Sequence, residues 1–501
     1  MLSTTDLRCE YRRDPLGIDA VRPRLSWINT YNANGEKQTA YCIQVATTRD
    51  DIQKGRATIW DSGRVASADT LHVSYGGKPL VSGRTYWWRV QVWNKDGRPS
   101  RWSAPASWEM GLLTARDWEG ALWINDGKQN PEKSADFYRD DPAPLLRKSF
   151  ICSKPPVRAR LYISGLGYAV PYLNGTRVGN HVLAPAWTAY DKRVFYQTHD
   201  VTKLIQQGQN CLGALLGNGF YNPLPLPMWG HLNLRQHLPV GRPRLIARLE
   251  VTHADGTKTV VVTDETWQVT DSPILRNSVY LGEVYDARRE VPGWCAPDKN
   301  TDKSTGDTPW KTARKSTEPI GQLFAQAQTP LRATATVKPV RVTRIAPGAF
   351  LVDFGQNFAG VVRLRIPADA APGTTITLRT GELLYPDGSL NPMTAVAGQI
   401  KDPKRDYGGA PAPAVQTDTY ICKGGTGNPD TGWSPEFTYH GFRYAEINGW
   451  PDTRPLAPKD LLGLRLSADL ETIGTFDCSD PLLKRLDSVC RWTFLSNLFR
   501  E

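Results

Sequence analysis

The sequence is short of most features that would fix a chemistry at sight. Its eight cysteines (Cys9, Cys42, Cys152, Cys211, Cys295, Cys422, Cys478, Cys490) are dispersed, with no CxxC pair and no metal-ligand spacing, so they read as buried thiols. No run of ~20 apolar residues occurs, which gives no membrane-spanning helix. Met1 to Arg13 carries no apolar stretch of the kind a signal peptide needs. The chain as given is unaddressed; a periplasmic or extracellular place would require an upstream signal. Serine-hydrolase, metal and P-loop signatures are lacking. The net charge is +11, but the 61 Lys and Arg are interleaved with 50 Asp and Glu and form no basic block. That pattern suits solubility and gives no footprint for nucleic acid.

What is abundant is material for strands and turns. The 501 residues exceed what one hydrophobic core spans, so three or four domains are expected. With 17 Trp, 19 Tyr, 43 Gly and 38 Pro, an all-β architecture follows. Strands Tyr41-Cys-Ile-Gln-Val-Ala and Thr85-Tyr-Trp-Trp-Arg-Val-Gln-Val-Trp, with turns at Asn34-Gly35 and Asp96-Gly97, read as a fibronectin-III-like sandwich over 1–113. By the period of two, Tyr86, Trp88, Val90 and Val92 share its core face. Residues 114–142, charged and proline-rich, read as a linker. A jelly-roll candidate follows over 143–290, with Asn174-Gly175 as its clearest hairpin signal. A second linker is expected over 291–330. A larger β-sandwich occupies 331–470, with a surface insertion from Asn391 to Gln416.

After Ser467 the period changes. Ser479 or Asp480 can cap a helix with Pro481 in its first turn, and Leu482, Leu486, Val489 and Phe494 form its apolar stripe. The segment 471–501 thus reads as a short carboxy-terminal helix with nothing left to pack on. It is expected to be an exposed stub whose removal leaves the sandwiches folded.

Several motifs, in order, carry a family likeness. They are Leu7-Arg-Cys-Glu-Tyr, Asp14-Pro-Leu-Gly-Ile-Asp and Pro23-Arg-Leu-Ser-Trp, then Tyr172-Leu-Asn-Gly, Leu183-Ala-Pro-Ala-Trp-Thr-Ala-Tyr-Asp and Leu216-Gly-Asn-Gly-Phe-Tyr. Asp353-Phe-Gly-Gln-Asn-Phe-Ala-Gly, Gly381-Glu-Leu-Leu-Tyr-Pro-Asp-Gly and Phe437-Thr-Tyr-His-Gly-Phe-Arg-Tyr complete the set. Together they resemble the front half of a bacterial α-L-rhamnosidase of glycoside hydrolase family 78. The resemblance implies hydrolysis of terminal α-L-rhamnose by an inverting mechanism, with the catalytic acids in an (α/α)6 barrel that opens with an Asp-Cys-Pro-x-Arg-Glu-like motif. Arg500-Glu501 only echoes that motif, so the segment 471–501 is expected to be the start of a truncated helical domain.

Inverting hydrolysis needs a general acid and a general base ~6.5–9.5 Å apart. Asp353, Glu382 and Asp387 can be nominated, but each stands beside Gly or Pro, where turn capping is the simpler role. No catalytic residue is assigned, and inactivity of this chain is expected. His440 reads as a structural histidine. Sugar binding fits the jelly-roll loops better, because an aromatic face and fixed polar groups can grip a pyranose. Trp187, Tyr190 and Asp191 stand together, and Asn218, Tyr221, Asn222 and Trp229 cluster in a Gly- and Pro-rich segment. Trp229 and Asp191 form the preferred pair; burial of Trp187 and Tyr221 in the core weighs about evenly against it. By resemblance calcium could assist, with Asp191 as ligand, although Lys192 sits where a second ligand would be convenient. The expected partners are rhamnose-containing glycans. The competing readings are a stand-alone carbohydrate-binding protein and a structural spacer.

Overall fold

The computed structural model describes residues 2–31, 34–133, 136–225, 227–228, 232–297, 309–317, 320–395, 414–425 and 432–499. The chain divides into two compact units. The first is residues 1–119 with the stretches Tyr196–His199 and Leu323–Ala327, and the second holds the remainder.

The first unit is a sandwich of two small sheets. One joins Ser3–Cys9, Arg24–Thr30 and Val73–Ser74; the other joins Trp60–Asp61, Ala40–Ala46, Thr85–Trp93 and Ala106–Glu109. Strand Thr85–Trp93 alternates half-buried and buried along its whole length. Tyr86, Trp88, Val90 and Val92 point into the core, as the period of two requires, with Tyr86 stacked on Trp108. Each such side chain stabilises the fold by roughly 1.5–3 kcal/mol on burial.

The second unit begins with another sandwich. One sheet contains Arg314–Lys315, Ile124–Asn125, Arg244–His253 and Pro156–Leu166 in that order; the facing sheet runs Thr176–Arg177, Tyr168–Leu173, Gly208–Gly217, Pro144–Cys152, Gln268–Asp271 and Lys311–Thr312. Leu161, Leu173, Leu212, Leu249 and Trp267 fill the space between them. Asn174 and Gly175 both take positive φ and close the hairpin in which Leu173 pairs with Thr176.

Both expected linkers therefore contribute strands. Ile124 pairs with Leu245, Asn125 with Arg314, Lys311 with Val269, and Ala313 is fully buried. Strands of two residues are too short to show a period, and charge and proline density report nothing about pairing. Residues 298–308 lie outside the described part.

The third module is built on a nine-stranded sheet. It runs Ile274–Ser278, Gly282–Asp286, Thr417–Ile421, Thr375–Gly381, His440–Asn448, Ala349–Leu364, Leu461–Ala468 and Leu331–Val337, with Arg341–Ala346 added beside Ala349–Leu364. Its first two strands fall inside the stretch expected to end the jelly roll. Gly282–Asp286 pairs in parallel with Thr417–Ile421, so the chain has already crossed into the third sheet before residue 290. A shared apolar cluster, including Tyr168, Phe220, Ile274, Val361, Phe437 and Leu464, joins the second and third modules. Of the expected insertion, residues 396–413 lie outside the described part.

Helix Pro481–Asn497 starts where the cap signal placed it: the Asp480 carboxylate accepts from the backbone N–H groups of Leu482 and Leu483. Leu482, Leu486, Val489 and Phe494 are all exposed. The helix nevertheless has something to pack on. Trp492 rests against the third module's core beneath the Arg465 guanidinium, Ser496 accepts from the Ala359 N–H, and Phe499 stacks on Tyr439 at 4.2 Å. The apolar stripe marked one face, while Trp492, off the stripe, makes the contact.

Candidate functional site

The jelly-roll loops meet one another, but mostly inward. Trp187 stacks on Phe220 at 4.9 Å, and Tyr190 meets the edge of Tyr221 at 5.4 Å. Tyr190 and Tyr221 are each only 3% exposed, and the Arg244 guanidinium lies over the Tyr221 ring. A sugar needs an open ring face, and these two rings offer none. Asn218 is likewise committed: its N–H donates to Asn277 Oδ1, its Nδ2 to the Asn277 carbonyl, and its Oδ1 accepts from Asn222 Nδ2. The hollow beside Asn218 and Asn222 measures about 20 Å³, room for a water and not for a pyranose. The loop reading is corrected accordingly for Tyr190, Asn218 and Tyr221, because apolar area and paired amides favoured burial over display. Trp187 is half-buried and Asp191 exposed. Trp229 lies outside the described residues.

The calcium expectation meets a poor donor set. Asp191 sits in a turn next to exposed Lys192 and Arg193, and among the described residues no group of three or more His, Cys, Asp or Glu stands close enough to hold a metal ion. A calcium ion wants six to eight oxygens, usually several of them from carboxylates.

A better-formed site lies between the second and third modules, both within the second unit. It is a cleft of about 470 Å³, within the ~300–1,000 Å³ range of small-molecule sites. Strand Tyr168–Leu173 contributes Tyr172, whose ring meets Trp294 edge-on at 5.1 Å. Gly213 is what lets Trp294 lie against the neighbouring strand, since a Cβ there would stand 2.5 Å from the indole. Strand Gly282–Asp286 contributes Glu283 and Tyr285, which share a face by the period of two. The segment before His440–Asn448 contributes Trp433 and Glu436.

The polar groups of the cleft are held in place. Arg177 grips both oxygens of Glu436 at 2.7 Å. Glu290 accepts from Tyr285 Oη at 3.0 Å and from Lys423 Nζ at 2.6 Å. Glu283, 1% exposed, accepts from the backbone N–H groups of Glu436 and Phe437. Burial pushes the Glu283 carboxyl well above the usual glutamate range, with the negative neighbours Asp418 and Glu436 adding to it; the two backbone donors oppose the shift without cancelling it. Behind Glu283, Asp418 accepts from its N–H and bonds His440 Nε2 at 3.0 Å. The strand Gly282-Glu-Val-Tyr-Asp, which supplies two of these residues, falls inside the stretch that the sequence places in the jelly roll, although it pairs in the third module's sheet.

Comparison with known proteins follows the same order of modules. Residues 4–114 match the Rha78A-like N-terminal immunoglobulin domain, 154–335 the α-L-rhamnosidase N-terminal domain, and 343–467 the bacterial α-L-rhamnosidase concanavalin-like domain. The chain belongs to the α-L-rhamnosidase family. Among its relatives, an α-L-rhamnosidase of Formosa agariphila is 33% identical over 97% of this chain and 50% of its own length; one from Alteromonas sp. is 31% identical over 97% and 49%. The structure of the α-L-rhamnosidase from Dictyoglumus thermophilum superposes with a TM-score of 0.85 at 35% identity, covering 99% of this chain and 52% of that one. The Streptomyces avermitilis α-L-rhamnosidase complexed with L-rhamnose gives 0.84 at 27%, covering 100% and 61%. This rhamnosidase-family chain thus spans about half the length of the curated relatives it matches. Among its described residues no helix is long and apolar enough to cross a membrane.

Proposed function

We propose that the chain is the accessory, non-catalytic portion of an α-L-rhamnosidase, a protein that removes terminal α-L-rhamnose from glycans or glycosides. The observation that carries this reading is the pattern of coverage: matches run through 97% of the chain in family order yet account for only half of the relatives. The carboxylates nominated from sequence support it. Asp353 is clamped by both arms of Arg443 at 2.8 and 2.9 Å, and Asp387 accepts from the N–H and hydroxyl of Ser389 across a turn. Glu382 takes Asn357 Nδ2 at 3.0 Å. A base that must receive a proton is poorly served by an Arg partner that holds its pKa down.

The test is hydrolysis of p-nitrophenyl α-L-rhamnopyranoside by the purified 501-residue chain. No release above the enzyme-free blank is expected. Turnover that disappears in Glu382→Gln or Asp353→Asn would show that the chain carries its own catalytic carboxylates.

A further inference from the structure

The cleft between the second and third modules combines three features that favour one class of ligand. First, its rings are only partly buried: Tyr172 and Trp294 stand on one wall, Tyr285 and Trp433 on the other. Trp294 meets Tyr172 edge-on and Trp433 meets Tyr285 and Tyr420 at a tilt, geometries that leave indole face area for a ligand, whereas Tyr285 is itself stacked on Tyr420 at 5.6 Å. Second, Glu436 and Glu290 are each neutralised by a cation, Arg177 and Lys423 respectively, while retaining lone pairs for further hydroxyl donors. Third, past the Glu290–Lys423 pair the cleft continues into a second hollow of about 330 Å³ that shares Tyr285 and Trp433 with the first.

An anion finds both nearby cations, Arg177 and Lys423, already paired with Glu436 and Glu290, and a purely apolar ligand would leave those carboxylate oxygens unsatisfied. A neutral pyranose meets both demands, laying its C–H face on a ring and donating its hydroxyls to fixed oxygens. We propose that this cleft binds one or two neutral sugar residues of a glycan, stacked on Trp294 and Trp433 and hydrogen-bonded to Glu290 and Glu436. The site is separate from the jelly-roll loops and does not depend on whether the chain hydrolyses anything.

Calorimetric titration of the whole chain tests it, with methyl α-L-rhamnopyranoside and maltotriose as neutral probes and sodium galacturonate as the anionic one. At least one neutral probe is expected to bind with a dissociation constant on the order of 0.1–3 mM, as suits an open site engaging few atoms. Trp294→Ala and Trp433→Ala should each weaken it about tenfold or more, the loss typical of a central aromatic contact. Trp187→Ala and Asp191→Ala should leave it unchanged, and galacturonate should bind at least about tenfold more weakly. No heat from either neutral probe up to roughly 30 mM would overturn the proposal. So would binding that survives both cleft variants, that follows the loop variants instead, or that is as tight for galacturonate. Should the tryptophan variants melt early, Glu290→Gln keeps the shape and removes the charged acceptor: weaker binding supports the site, and unchanged binding refutes it. Hydrolysis is read in a different assay, so failure of either reading leaves the other standing.

Discussion

Glu283→Gln is the substitution that most directly probes the cleft's electrostatics. In the folded chain this carboxyl is buried, faces the negative groups Asp418 and Glu436 and the ring of Tyr285, and keeps its proton above the ordinary glutamate value of about 4.5. In the unfolded chain it ionises near that ordinary value. Between the two values the folded state binds more protons than the unfolded state, so stability falls as pH rises. The slope has a ceiling of about 1.4 kcal/mol per pH unit, the limit for one proton. Below about pH 4.5 both states are protonated and the contribution is fully present. Glutamine removes the proton dependence and keeps an oxygen for the N–H groups of Glu436 and Phe437. Across pH 5 to 7 the wild type should therefore lose up to about 2.7 kcal/mol relative to the variant. That is several degrees of melting temperature, at no more than ~2–4 °C per kcal/mol for a unit of this size. Calorimetric melts of both proteins at pH 5, 6, 7 and 8 read the effect as a widening gap in favour of Glu283→Gln. Parallel curves would mean that Glu283 ionises normally in the fold and that the cleft is wetter than its geometry indicates.

The remaining predictions concern packing. Leu486 is 56% exposed, so Leu486→Glu should change stability by less than ~0.5 kcal/mol, whereas Trp492→Ala should cost on the order of 1–3 kcal/mol by emptying the seat under Arg465. Equal losses in urea melts would show that the helix sits differently on the third module. Arg242 joins Asp126 and Asp141 with its side chain 5% exposed and that of Asp126 4%. Arg242→Met should cost about 3–5 kcal/mol by stranding a buried carboxylate, and adding Asp126→Asn should recover part of it; a loss below about 1 kcal/mol in the single variant would refute the buried-pair account.

What the sequence made legible was whatever depends on near neighbours. The face Tyr86, Trp88, Val90 and Val92 follows from alternation alone, the Asn174-Gly175 hairpin from the conformational freedom of its two residues, and the Asp480 cap from the first turn it closes. What stayed hidden depends on partners far away in the chain. Strand Gly282–Asp286 looks the same in either sheet until Thr417–Ile421, some 130 residues on, arrives beside it. Ile124–Asn125 and Lys311–Thr312 are two residues each and take their identity wholly from the strands they join. The cleft is the extreme case: Tyr172, Glu283, Trp294, Lys423 and Trp433 come from separate segments, and no local pattern announces that they converge.

The aromatic residues show why composition pointed to sugar recognition and yet to the wrong loops. A ring flanked by Gly and Pro can serve equally as the lid of a core or as a platform for a ligand, and the outcome turns on what covers its second face. Tyr190 and Tyr221 are buried against each other edge to face, and the Arg244 guanidinium lies over Tyr221, so these rings hold the loops together. Trp294 meets Tyr172 edge-on and is backed by the glycine at position 213. Trp294 stays partly exposed beside carboxylates that Arg177 and Lys423 hold still. Fixed acceptors next to an uncovered ring are costly to maintain for packing alone, because buried charges must each find a partner. Such an arrangement is better suited to holding a polar ligand with one apolar face than to filling a core.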